Sequence, residues 1–161
     1  MSTILFSLIF SIALFCAVSF TSGAQTPDLV IPAPAEIIIN EGMYAFDGQP
    51  KIKEVHLKAG KVPAEGYILE ITRKGVVIKS SDEAGAFYAR QTLDQMTRGG
   101  KVKELQCCKI TDSPRFPYRG VHFDVSRHFR SLDFLKKQVD AMAMFKMNRM
   151  HIHLTDAAGW R

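Results

Sequence analysis

From Ile4 to Phe20 the chain is an almost unbroken apolar run, and no charged residue occurs before Asp28. Ser22-Gly23-Ala24 follows, small residues of the kind a signal peptidase reads, and then polar Gln25-Thr26-Pro27. The run is shorter than the about 20 residues that cross a bilayer. The pattern predicts an export signal cleaved after Ala24, with Gln25 as the first mature residue and a secreted or periplasmic destination. Met1-Ser2-Thr3 has no Lys or Arg, and an uncleaved anchor is the rival reading. Cys16 follows Leu14-Phe15, where a lipoprotein signal would carry a small residue, so lipidation is not expected.

After the run, short β-branched stretches alternate with turn residues. Ile37-Ile38-Ile39 reads as a strand ending at Asn40-Glu41-Gly42, and Ile52, Val55 and Leu57 as a second strand ending at Ala59-Gly60. Tyr67 to Ile71 and Val76 to Ile78 flank Arg73-Lys74-Gly75, the signature of a hairpin. From Asp82 the period changes. Ala86, Ala89, Leu93 and Met96 recur at helical spacing, Ser81 or Asp82 caps the start, and Gly99-Gly100 stops it. Asp82-Glu83 is read as N-cap and first-turn residue, favoured by the helix dipole. Val102 to Ile110 returns to extended structure. Strands around one helix predict an α+β domain over residues 25–113.

Pro114 and Pro117 favour an extended linker. Beyond them the pattern is strand, helix, strand. Arg119 to Val125 is the first strand. Ser131 N-caps a helix whose Leu132, Leu135, Val139 and Met142 share a face, with Asp133 in the first turn and Lys146 in the last. Met150, Ile152 and Leu154 alternate in the second strand. This is a βαβ unit, which makes parallel sheet with a right-handed crossover. Two parallel strands and one helix leave edges unpaired and faces uncovered, so residues 114–161 are expected to be the opening of a larger, truncated domain.

Composition agrees with a folded chain: 161 residues, 47% hydrophobic, 23% charged, formal net charge +5. The lysines are scattered and no basic run is interleaved with stacking aromatics, so nucleic acid is not an expected partner. Outside the leader only Cys107 and Cys108 remain. Neighbours in sequence are badly placed to bond each other, and the pair lacks the spacing of a zinc site; both are read as core or strand residues.

Ligands meet parallel βαβ sheets at the carboxyl ends of the strands. The first strand there ends at Asp124, with Ser126, Arg127 and His128 in its loop. The second ends at Thr155-Asp156, with Trp160 just beyond. That end gathers two carboxylates, an arginine fork suited to sugar hydroxyls or a carboxylate, a histidine and an indole suited to a pyranose face. The competing reading is an Asp124–Arg127 ion pair that only shapes the loop, with Asp156 as a cap. His151 and His153 lie on one side of their strand. They are read as structural or substrate-shaping, because no third ligand and activating carboxylate can be assigned for a metal.

The stretches PRFPYRGVHFDVSRHF and MAMFKMNRMHIHLTDAAGWR closely resemble the start of the catalytic (β/α)8 TIM barrel of glycoside hydrolase family 20, the β-N-acetylhexosaminidases. EGYILEI and GVVIKSSDEAGAFYARQTLDQM resemble the small α+β domain that precedes that barrel. The resemblance implies removal of terminal, non-reducing N-acetylglucosamine or N-acetylgalactosamine from β-linked glycans, with retention. In that family the substrate's own acetamido carbonyl attacks the anomeric carbon. Arg127 is similar to the arginine that binds the sugar's O3 and O4 hydroxyls. Asp156 resembles the carboxylate that orients a downstream histidine supporting the acid glutamate. Asp124, His128 and Trp160 are carried over only as residues near the pocket, and neither cofactor nor metal is implied.

Two departures stand out. The family often reads Asp-Asp-Gln-Gly-Trp where this chain has Asp156-Ala157-Ala158-Gly159-Trp160. The catalytic His-x-Gly-Gly-Asp-Glu motif is absent, so this stretch by itself is expected to be inactive. Two other classes stay open: a non-catalytic secreted glycan- or partner-binding remnant, and a metal-dependent barrel hydrolase using His151 and His153.

Overall fold

The computed structural model describes residues 30–157 and 159–160. The apolar leader, Cys16 and the expected cleavage point lie outside the described residues. In chain order the elements are β1 (Glu36–Ala45), β2 (Ile52–His56), β3 (Tyr67–Thr72), β4 (Gly75–Ser80), α1 (Glu83–Thr97), β5 (Glu104–Asp112), β6 (Gly120–Asp124), α2 (Leu132–Met144), β7 (Arg149–His153), β8 (Thr155–Asp156) and β9 (Gly159–Trp160). Among the described residues no helix is long and apolar enough to cross a membrane.

The first five strands form one sheet in the order β1-β5-β3-β4-β2. Neighbours are antiparallel except β2, which runs parallel to β4. Alternation in β3 turns Tyr67, Leu69 and Ile71 inward, and β4 and β5 supply Ile78 opposite Leu69 and Ile110 on its other side. The helix α1 covers that face with Tyr88, Ala89, Thr92, Leu93 and Met96, spaced by three and four residues. Leu69, Ile71, Ile78, Ala89 and Ile110 reach 0% exposure. Each buried Leu or Ile of this kind contributes about 1.5–3 kcal/mol. Asp82 N-caps α1 by accepting from the Gly85 N–H at 2.7 Å, as expected of it. Cys107 and Cys108 are unbonded and buried on β5.

The first strand departs from expectation. It runs through Asn40-Glu41-Gly42 to Ala45, with a register shift between Ile39 and Met43. Gly42 sits at φ +100, which lets the extra residues bulge without ending the ladder. The Gln106 side chain holds the bulge by donating to the carbonyls of Asn40 (2.6 Å) and Gly42 (3.0 Å).

The second unit is a parallel pair, β6 beside β7, crossed over by α2, which Ser131 caps through the Phe134 N–H. Of the expected inward stripe of α2 only Met142 is buried, while Leu132 is 66% and Val139 50% exposed. Two strands are too narrow to cover the stripe. Lys146 is also not in the last helical turn: α2 ends at Met144, and Lys146 takes a left-handed φ of +57. Its ammonium turns back onto the first unit, donating to Asp112 Oδ2 and Tyr67 Oη, each at 2.8 Å. A charge-assisted pair in a buried setting outweighs the modest pull of the helix dipole.

That contact belongs to a polar seam between the two units. Gln95 on α1 donates to the Met144 carbonyl (2.9 Å) and exchanges two bonds of 2.8 Å with the backbone of Ile31. Arg119 pairs with Glu65 and donates to Tyr88 Oη at 2.9 Å. A cavity of about 380 Å³ opens beside the seam, between Pro32, Tyr67, Phe116, Phe145 and Lys146.

Candidate functional site

The parallel ladder runs without a slip from Gly120 opposite Arg149 to Asp124 opposite His153. Both strands therefore end together. Because side chains alternate, His122 and Asp124 of β6 share a face with His151 and His153 of β7. The rings of His122 and His151 stack at 4.6 Å between centroids, and His122 lies 6.1 Å from His153. His122 was not singled out from the sequence; its alternation with Asp124 in Val-His-Phe-Asp is the signal that marks it.

Asp124 organises the loop that follows it. Its Oδ1 accepts the N–H groups of Ser126 and Arg127, each at 3.0 Å, and its Oδ2 pairs with Arg127 Nε. The Arg127 N–H, followed by the guanidinium and His153, holds the Asp124 carboxyl below the usual carboxylate range. Hydrogen bonds and positive charge both favour the ionised form.

Asp156 enters from the other strand end. Its Oδ2 is 3.3 Å from Arg127 Nε, and its Oδ1 accepts the Ala157 N–H at 2.7 Å. Arg127 thus lies between two carboxylates contributed by different strands. Its side chain remains 61% exposed, and no described residue accepts a hydrogen bond from its two terminal nitrogens. The loop-shaping ion pair and an open donor fork are therefore both present.

His153 completes the cluster, with Nδ1 3.9 Å from Asp124 and Nε2 4.0 Å from Asp156. Its Nε2 also meets the Thr155 carbonyl. Ligand atoms of Asp124, His153 and Asp156 all lie within 4.8 Å of one another, close enough for a cation. The two histidines considered from the sequence do not form that set, because His151 stacks on His122 instead. Arg127 already occupies the space between the carboxylates and balances part of their charge.

His128 is exposed, and among the described residues no hydrogen bond or ion pair joins it to the cluster. Trp160 is placed only through its backbone, which pairs with Thr155 in β8–β9. That pairing brings the end of the described chain back over Asp156.

Chemically, the cluster carries two negative carboxylates and one guanidinium. Guanidinium N–H groups donate to ring or hydroxyl oxygens while carboxylates accept from hydroxyls. A neutral polyol suits that mixture better than an anion, which the two carboxylates would repel.

Two family models match the chain: "Glycosyl hydrolase family 20, domain 2" over residues 46–113 and "Glycosyl hydrolase family 20, catalytic domain" over 116–161. A curated relative from Vibrio harveyi, N,N'-diacetylchitobiase, is 46% identical over 95 residues, covering 59% of this chain and 11% of its own length. A beta-hexosaminidase from Akkermansia muciniphila is 42% identical over 99 residues, covering 60% of this chain and 20% of its own. The chain thus spans between about a tenth and a fifth of these relatives. Among solved structures, a Vibrio harveyi GH20 exo beta-N-acetylglucosaminidase in complex with N-acetylglucosamine superposes with TM-score 0.74 at 26% identity, over 86% of this chain and 27% of that one. A crystal structure of a beta-N-acetylhexosaminidase gives TM-score 0.72 at 34% identity, over 86% and 29%.

Proposed function

Because the chain belongs to glycoside hydrolase family 20, we propose that it supplies the sugar-holding side of a β-N-acetylhexosaminidase acting on terminal, non-reducing N-acetylglucosamine or N-acetylgalactosamine of β-linked glycans. In this reading residues 114–161 open a (β/α)8 barrel, residues 25–113 are the α+β domain before it, and residues 1–24 direct export to a secreted or periplasmic location. Neither nucleic acid nor a stable membrane anchor enters the reading.

The observation that carries it is the position of Arg127. Its Nε is held against Asp124 and Asp156, from two strand ends, while its terminal nitrogens meet no acceptor among the described residues. A fork fixed in this way loses little side-chain freedom when it grips neighbouring sugar hydroxyls. Asp124 positions the fork. Asp156, with His153 beside it, orients a histidine from a later strand, which in turn steadies the acid that protonates the leaving oxygen. The substrate's acetamido group is the nucleophile, with retention. The 161 residues contain no His-x-Gly-Gly-Asp-Glu motif, so the acid and the acetamido-orienting carboxylate are not among them.

The test is saturation-transfer NMR on the mature chain with N-acetylglucosamine, using Arg127→Ala as control. Signal from the sugar's O3/O4 side that disappears in the variant is expected. An equal signal from both proteins refutes the assignment of Arg127.

A further inference from the structure

The site lies at the carboxyl ends of β6 and β7, but the opposite ends of those strands are held by a residue of the other unit. Arg119 stands immediately before β6 and Asn148 immediately before β7. Both reach one carboxylate, that of Glu65: Arg119 Nη2 pairs with Oε2, and Asn148 Nδ2 donates to Oε1 at 3.3 Å. The two strand starts are also tied to each other. The Arg119 N–H donates to Asn148 Oδ1 at 3.0 Å, and the Asn148 N–H donates to the Arg119 carbonyl at 2.8 Å.

Glu65 is itself fixed. Its N–H donates to Asp82 Oδ2 at 2.7 Å, and the other oxygen of Asp82 caps α1. Its φ of +59 is left-handed, a region that favours glycine and costs a glutamate energy. A residue needed only to make this turn would be better as glycine. The glutamate there spends its side chain on the starts of both barrel-type strands.

Among the described residues the β6–β7 ladder has no third strand to enforce its pairing. A slip of one residue in a strand pair turns every side chain to the other face. It would set Asp124 opposite Ile152 or Leu154 in place of His153. From the clamped Arg119 to Asp124 is five residue steps, about 16 Å at the usual rise per strand residue. The clamp is thus remote from the chemistry, yet it acts on the one variable that brings the site residues together.

We propose that Glu65 sets the register of the β6–β7 pair, and through it the meeting of Asp124, Arg127, His153 and Asp156, so that the α+β unit serves as the template on which the catalytic unit begins. Glu65 is a positioning residue, and its relevance to catalysis rests on the reading of the site given above.

The experiment is isotope-edited NMR on the mature chain, following cross-strand contacts between the backbones of β6 and β7 at His122–His151 and Asp124–His153. Contacts across the β3–β4 hairpin at Ile71–Val76 are the internal control. Glu65→Gly removes the carboxylate and relieves the left-handed backbone, so the control contacts are expected to persist while the β6–β7 contacts are lost or move by one residue. Glu65→Gln keeps an oxygen for Arg119 and is expected to retain the wild-type pattern. Unchanged β6–β7 contacts in Glu65→Gly overturn the proposal. N-acetylglucosamine added to the same wild-type sample tests the function separately: absence of any sugar signal would sink that reading and leave the register result standing.

Discussion

Replacing Lys146 by alanine removes the cation from a buried cluster. Its side chain is 8% exposed and that of Asp112 13%, with Nζ 2.8 Å from Oδ2. Burial lowers the affinity of this amine for its proton, and Asp112 opposes that effect. After the substitution Asp112 keeps, among the described residues, the Tyr67 hydroxyl (3.1 Å) and the Ala35 N–H (3.2 Å). Removing one partner of a buried pair costs about 3–5 kcal/mol, chiefly because the remaining charge is stranded. Asp112 lines the adjoining cavity, where a stranded charge is less fully desolvated than in a packed core, and this places the expected loss near the lower figure, about 3 kcal/mol.

The backbone allows a second check. At φ +57 a side chain costs roughly 1–2 kcal/mol relative to glycine. Lys146→Gly should therefore be about 1 kcal/mol less damaging than Lys146→Ala, the reverse of the usual order in ordered structure. Combining Lys146→Met with Asp112→Asn, which strands no charge, should cost less than the sum of the two single changes. Urea unfolding followed by circular dichroism measures all five variants, the two single changes of that pair included. A loss below about 1 kcal/mol for Lys146→Ala, no more than an ordinary substitution costs, would refute the argument. So would a glycine variant weaker than the alanine.

Two further outcomes follow from the site and the core. Asp124 should titrate below the ordinary carboxylate value in a carbon-13 NMR titration, and Arg127→Ala should raise it only part of the way, because the backbone N–H of residue 127 is the largest cause. The folded state holds this proton less tightly than the unfolded one, so the stabilisation is complete above about pH 3.9 and is lost as pH falls through the lower folded value; a wild-type Asp124 at the ordinary value would contradict this. Burial beside Cys107 pushes the Cys108 thiol up to about 11, so at pH 8 it should resist a thiol-disulfide reagent in the native protein and react in urea. Native reactivity at the unfolded rate would show that β5 opens there.

Much of the architecture is legible in local pattern. The β3–β4 hairpin follows from two β-branched runs about a short turn, α1 from its three- and four-residue spacing and Asp82, and the βαβ unit from the change of period after the two prolines. The meeting of strand ends, and with it the candidate pair Arg127 and Asp156, follows from the rule for parallel sheets. Less legible were the elements with weak periods. β2 exposes Ile52 at 43% and carries no sign of its parallel pairing with β4. Asn40-Glu41-Gly42 reads as a stop, whereas Gln106 on the neighbouring strand turns it into a bulge.

The sequence by itself determined which segments are strands and helices, which face of each is apolar, and to which family the chain belongs, because these depend on residues within a few positions of one another. Only the tertiary structure decided the strand order, the burial of Lys146 against Asp112 and Tyr67, and the clamp from Glu65 to Arg119 and Asn148. Polar groups 34 to 83 positions apart in the chain find each other there. No period encodes such a partner. A buried charge must be matched wherever packing leaves it, and that place is known only once the two units have come together.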